Sequence, residues 1–186
     1  MQKILLAIVG LAGAGKTVAT EYLMKTQNWP KVYLGQGVID EVHARGLDLN
    51  EQNERQVRED LRKQHGMAAM AIVNLPKIRE LFQTSSVIIE SLYSWQEYTK
   101  LKEEFGDSFK VLAVYASPET RIARMATRPF RPLNREQLIS RDYSQIENLQ
   151  QAGPIARAEY TIVNEGSLDE LYKNLDSALT QLLSKP

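Results

Sequence analysis

Cysteine is absent from the 186 residues and histidine occurs twice. The first absence excludes a disulfide framework, thiolate metal ligation and a cysteine nucleophile. His43 and His65 stand in no H-E-x-x-H or His-rich setting, so a zinc-type ligand pattern is missing too. Neither sign of charge is in excess: 23 Lys plus Arg balance 23 Asp plus Glu. That argues against general polyanion coating, and so against nucleic acid as the partner. No apolar run approaches the ~20 residues of a membrane span. Repeats, low-complexity tracts and long linkers are also lacking, so the length points to one domain. With 43% apolar residues the chain can bury a sizeable core without staples. A cysteine-free chain of this kind is expected in the cytoplasm.

Apolar runs alternating with helical patterns are what the sequence does contain. Residues 3–9 form a continuous apolar run, as in a strand covered on both faces. A short leader peptide would look similar, but the glycine-rich stretch and Lys16 that follow favour the strand. Further strands are predicted at 31–34, 86–89, 111–115 and 160–163. Helices are predicted at 16–26, 38–45, 51–64, 67–82, 94–104, 117–127, 135–151 and 167–183. Pro76 is expected to kink or reset the fourth of these. Ser94-Trp95-Gln96-Glu97 reads as a capping box, and Ser117-Pro118-Glu119 as a capped first turn. Residues 128–134, with two prolines and two arginines, read as a loop. Strands alternating with helices imply a parallel sheet with helices on both faces.

Gly10-Leu11-Ala12-Gly13-Ala14-Gly15-Lys16-Thr17 fulfils G-x-x-x-x-G-K-[ST], between a predicted strand and a predicted helix. Glycines let the backbone wrap a phosphate with its N–H groups inward, and the helix N-terminus aims at the same anion. The nucleotide-gripping set is Gly10, Ala12, Gly13, Ala14, Gly15, Lys16, Thr17 and Val18. Lys16 would reach the β- and γ-phosphates, and the Thr17 hydroxyl would ligate Mg²⁺. The motif implies ATP or GTP without choosing a kinase, a switch or a motor.

Glu90 closes the third strand, where ligands gather in open parallel sheets. It is a candidate to hold Mg²⁺ through water or to orient an attacking hydroxyl. Arg121, Arg124, Arg128, Arg131 and Arg135 crowd the helix and loop after the fourth strand. Three of them, Arg121, Arg124 and Arg128, recur at helical steps and are expected to share one face. Cations there would close over a transferring phosphoryl group as a lid, with Arg124, Arg128 and Arg131 the leading candidates. The strandless stretch from 38 to 82 reads as an acceptor-binding insertion. Within it Arg58 and Arg62 lie four apart, Arg62 being the better phosphate ligand, and Asp40 is a candidate for an acceptor hydroxyl. Asn164-Glu165-Gly166 is either a simple turn or an approach to the adenine ring. Trp29 and Trp95 read as core plugs.

Four stretches make the chain resemble the P-loop nucleoside monophosphate kinases. They are the glycine-rich motif, Pro76-Lys77-Ile78-Arg79-Glu80, Ala116-Ser117-Pro118-Glu119-Thr120-Arg121, and Ile162-Val163-Asn164-Glu165-Gly166-Ser167-Leu168-Asp169-Glu170-Leu171. The chain is most similar to the archaeal-type adenylate-kinase-related ATPases, and its last stretch is also similar to dephospho-coenzyme A kinases. The resemblance implies a three-layer α/β/α P-loop kinase fold with a five-stranded parallel sheet of order 2-3-1-4-5. The core would comprise 1–37, 83–127 and 152–186, the helical acceptor-binding insertion about 38–82, and the Arg-rich lid about 128–151. It also implies ATP with Mg²⁺ and transfer of the γ-phosphate to a nucleotide or nucleoside-like small-molecule acceptor, by a monomer or homodimer. Lys16, Thr17, Arg62 and the lid arginines carry over by position.

Two departures stand out. Glu90-Ser91 replaces the family's Asp-Gly after the third strand. After the second strand, Gly37 stands for an Asp and Asp40 for the acceptor-phosphate Arg. Ile88 to Ser94 is also faintly similar to the Glu-Arg-Ser region of deoxynucleoside kinases. The main expectation is a small-molecule kinase; the alternatives are an ATPase or nucleotide-dependent switch regulating a partner, or a dephospho-coenzyme A kinase-like or deoxynucleoside kinase-like activity.

Overall fold

The computed structural model describes residues 3–129 and 132–184. Five strands form one parallel sheet: β1 (Leu5–Val9), β2 (Lys31–Tyr33), β3 (Val87–Glu90), β4 (Phe109–Tyr115) and β5 (Tyr160–Val163). Their order is β2-β3-β1-β4-β5, as the resemblance implies. β1 is central, with Leu5 in register with Val87 on one side and Phe109 on the other.

The continuous apolar run of β1 makes sense in three layers, because successive residues serve opposite faces. Leu5, Ala7 and Val9 enter one core cluster; Ile4, Leu6 and Ile8 enter the other. On the second face lie α1 (Lys16–Gln27) and α9 (Leu168–Ser184). They bring Ala19, Leu23, Leu171, Leu175 and Leu179 against the sheet. Tyr22 and Tyr172 stack at 4.3 Å between the two helices. The first face carries α2 (Gln36–Ala44), α3 (Glu51–His65), α4 (Ala69–Thr84) and α5 (Trp95–Phe105), which fill all of the chain between β2 and β4 apart from β3 and short connections. A third, small cluster joins Ala12, Met125 and Leu138. It seats α6 (Pro118–Ala126) and α7 (Arg135–Leu149) beside the glycine-rich loop.

Both predicted caps form. Ser94 accepts from the Glu97 N–H while the Glu97 carboxylate accepts from the Ser94 N–H, and Ser117 accepts from the Thr120 N–H. Two expectations change. Helix α4 runs unbroken through Pro76, whose ring is exposed while Ala71, Leu75 and Ile78 anchor the helix on either side of it. The helix predicted over 135–151 ends at Leu149, because Gln150 turns left-handed at φ 56°, and α8 (Ala152–Ala156) follows. Its Gly153 is tight against Trp95: a Cβ there would lie 2.6 Å from the indole. Among the described residues no helix is long and apolar enough to cross a membrane.

Candidate active site

The glycine-rich loop leaves the carboxyl end of β1 and enters α1 at Lys16. Gly10 cannot be replaced without collision, since a Cβ would lie 2.2 Å from the Val114 carbonyl oxygen across the sheet. Three side chains from elsewhere in the fold hold alternate carbonyls of the loop. Gln151 Nε2 donates to Gly10 O at 3.2 Å, Arg121 Nη1 to Ala12 O at 3.2 Å, and Asn164 Nδ2 to Ala14 O at 2.8 Å. These bonds brace the loop backbone, in which the Ala14 N–H also donates to Leu11 O, and a backbone held in place is what an anion nest requires. Lys16 Nζ donates to Leu11 O at 3.0 Å. Thr17 is exposed at the start of α1, and Val18 is half-buried beside it.

Lys16 has its pKa lowered to about 8, first by withdrawal of its ammonium from water, then by the charges of Arg141 and Arg121, with Arg128 adding less. Glu90 opposes them. Thus Lys16, Glu90, Arg128, Arg121 and Arg141 share one electrostatic neighbourhood. Arg141 lies beyond the arginine-rich stretch that the sequence singles out; its only signal is helical spacing from Leu138 and Gln145, the two buried residues of α7.

The arginines do not share one solvent face. Arg121 is buried at 5% exposure and pairs with Asp142 of α7 at 2.7 Å. Arg124 instead donates to Asn164 O at 3.0 Å. It lines a cleft of about 290 Å³ with Gly15, Val18, Asn164 and Gly166, at the far end of the loop from β1. Glu165 fixes that turn by accepting from the Ser117 N–H and the Thr120 hydroxyl. Arg128 is exposed just after α6. Arg135 pairs with Glu119 on the surface, and Arg131 lies outside the described residues.

Glu90 ends β3 and pairs with Lys31 at 2.7 Å. The next residue, Ser91, has φ 68°. That left-handed conformation explains why glycine suits this place, and a serine there carries ~1–2 kcal/mol of strain. From here opens a larger cleft of about 500 Å³. Arg58 and Arg62 of α3, Tyr33, Tyr93, Glu97, and Gln145 and Asn148 of α7 line it. Among the described residues, Arg62 Nε and Gln145 Oε1 are buried without partners. Withdrawal from water lowers the Arg62 pKa, partly offset by Glu97; burial raises that of Glu97 against the N–H groups of Ser94 and Tyr93.

Asp40 is not in this cleft. It accepts from Gln36 Nε2 at 2.8 Å and faces a separate cleft with Lys31 and Lys77. Gly37 is required by packing, because a Cβ would lie 2.5 Å from Val73 Cγ2 of α4. His43 and His65 are exposed, and among the described residues no three His, Asp or Glu side chains converge to hold a metal. The oxygens of Thr17 and Glu90 suit Mg²⁺ only as an ion held largely by a nucleotide's own phosphates.

A strand–glycine loop–helix cradle at the centre of a 2-3-1-4-5 parallel sheet defines the P-loop kinase type of domain, a class built for nucleotide-dependent phosphoryl chemistry. The chain belongs to the AAA domain family, whose model matches residues 6–150, and to the UPF0200 proteins. A UPF0200 protein of Methanococcus vannielii is 32% identical over 187 residues, covering 96% of each chain. One of Pyrococcus furiosus is 29% identical over 182 residues, 96% of this chain and 97% of that one. A UPF0200/UPF0201 protein of Archaeoglobus fulgidus is 30% identical over 95% of this chain but only 55% of its own length. Among solved structures, a gluconokinase from Sinorhizobium meliloti 1021 superposes with a TM-score of 0.61 at 16% identity, over 97% of this chain and 94% of that one. A shikimate kinase from Bacteroides thetaiotaomicron gives 0.60 at 15%, over 98% and 99%. These two share the fold.

Proposed function

We propose that this protein is an ATP-dependent phosphotransferase that moves the γ-phosphate to a nucleotide or nucleoside-like acceptor, as the resemblance to adenylate-kinase-related ATPases implies. The observation that carries the reading is the position of α7. Its Asp142 pairs with Arg121, which holds Ala12 O of the cradle, and its Gln145 and Asn148 line the 500 Å³ cleft. One helix therefore faces both the phosphate cradle and a second site large enough for a nucleoside.

In this reading the main-chain N–H groups of residues 12–17 and the Lys16 ammonium hold the β- and γ-phosphates. Arg124 and the turn at Asn164 flank the base. Arg128, Arg131 and Arg141 neutralise charge on the transferring group. Thr17, with Glu90 through water, would hold Mg²⁺, which would supply charge neutralisation on the phosphate oxygens. Arg62, with Arg58, takes an anionic group of the acceptor, and Tyr33 and Tyr93 line the same cleft. The acceptor oxygen attacks the γ-phosphorus as the bond to the ADP oxygen breaks. If the acceptor is a hydroxyl, its proton passes to the Glu90 carboxylate. Most of the rate then comes from positioning and charge neutralisation.

One observation favours a second reading. The residue at the family's acceptor-arginine position, Asp40, lies outside the cleft. A P-loop ATPase or switch acting on a partner needs no acceptor phosphate ligand. ADP release measured across nucleosides, nucleotides and dephospho-coenzyme A, with a no-acceptor control, separates the two. A kinase is strongly stimulated by one acceptor class; an ATPase is stimulated by none. Lys16→Ala abolishes turnover in either case, and unchanged turnover in that variant refutes both.

A further inference from the structure

Arg141 is exposed, but its neighbour Asp142 turns into the fold. The two Asp142 oxygens accept from the two terminal nitrogens of Arg121 at 3.0 and 2.7 Å. The side chains are 14% and 6% exposed, so this is a nearly water-free, two-pronged pair. Arg121 has two further acceptors: Ala12 O in the cradle and Ala116 O after β4. An unbroken polar path thus runs from α7 through Asp142 and Arg121 to the middle of the phosphate loop.

Apart from this pair, α7 is held by a surface pair of Arg135 with Glu119 at its start and by few buried groups. Of its 15 residues only Leu138 and Gln145 are buried. Leu138 belongs to the small three-residue cluster at the front of the helix. Gln145, one turn after Arg141, has its Oε1 buried without a partner beside the acceptor cleft. Between these two points Asp142 is the α7 residue that enters a buried ion pair.

We propose that Asp142 is a positioning residue. Through Arg121 it fixes the Ala12 peptide of the cradle, and through α7 it sets both the approach of Arg141 to the transferred phosphate and the Gln145 wall of the acceptor cleft. The pair makes the two sites one mechanical unit. This deepens the phosphotransferase reading and rests on it.

The test uses the full chain with ATP and Mg²⁺. Asp142→Asn keeps the shape and removes the charge; Asp142→Glu keeps the charge. Turnover is read as ADP release at saturating ATP, affinity by calorimetry, and folding by thermal melting. Misplacing Arg141 in Asp142→Asn is expected to lower turnover ~10- to 100-fold while the ATP Kd moves less than ~3-fold. Asp142→Glu is expected to recover part of the loss. Adding Arg141→Ala to Asp142→Asn is expected to cost little more, since both changes remove one function. Turnover in Asp142→Asn within about twofold of the parent overturns the proposal. So does a loss matched by an equal loss of ATP affinity. If Asp142→Asn does not fold, Arg121→Lys, which keeps a charge pair but not the fork, carries the same expected loss of turnover and the same turnover refutation. A parent protein that neither binds ATP nor releases ADP instead overturns the phosphotransferase reading itself.

Discussion

Gly15 and Asn164 stand so close that a Cβ on the glycine would lie 2.3 Å from the asparagine amide nitrogen. The same amide holds Ala14 O at 2.8 Å, and Gly15 itself sits at φ 108°. The turn after β5 and the end of the cradle are therefore built against each other. Gly15→Ala must both adopt a left-handed backbone and push Asn164 away. We expect a loss of ~1–3 kcal/mol in denaturant unfolding, the sum of backbone strain and a forfeited hydrogen bond. Adding Asn164→Ala makes room but does not relieve the backbone. The double variant should therefore stay less stable than Asn164→Ala alone, and equality between them would sink the account.

The lowered pKa of Lys16 predicts two opposite trends with pH. Its folded value is about 8 against an ordinary 10.5. Between these values the unfolded chain binds the proton that the folded chain has released. Stability without nucleotide therefore rises with pH across that window, and this contribution is lost as pH falls through about 8. Nucleotide binding runs the other way, since phosphates favour the charged ammonium. Calorimetry in buffers of different ionisation heat should show proton uptake on ATP binding at about pH 9 and almost none at about pH 6.5. In Lys16→Met both trends should vanish.

Arg62 and Asp40 were comparable in the sequence and are separated in space. Arg62 has a buried, unpartnered Nε in the 500 Å³ cleft; Asp40 faces another cleft. Against a phosphate-bearing acceptor, Arg62→Ala should raise the acceptor KM by ~10- to 100-fold, the worth of a charge-assisted hydrogen bond. Little change in kcat is expected, because the contact is made equally in ground and transition states. Asp40→Ala should leave that KM within about twofold of the parent. Steady-state kinetics with both variants decides between the two positions, and the reverse pattern would exchange their roles.

The sheet was legible because each strand is a short apolar run between turn signals, and β5 appears at its predicted residues. The caps at Ser94 and Ser117 were legible because their chemistry is local. Long-range polar partners were not. Nothing near Gln151 in the sequence says that its amide reaches Gly10, 141 positions away. Arg121 reads like its neighbour Arg124, and only packing sends one into the fold toward Asp142 and the other toward Asn164. Helical spacing says which residues can share a face, not what waits opposite that face. The continuity of α4 through Pro76 was hidden for the same reason, since core contacts on both sides offset the missing hydrogen bond.

The central place of β1 has a kinetic corollary. The loop that follows it is rooted in the most enclosed strand, flanked by β3 and β4 and roofed by helices above and below. The 500 Å³ cleft is lined from α3 and α7, each with only two buried residues along its length. Deuterium should thus enter the cleft walls long before it enters β1. In the proposed kinase, a triphosphate held by the loop would then outlast many openings of the neighbouring compartment, so that acceptors come and go while the donor stays seated.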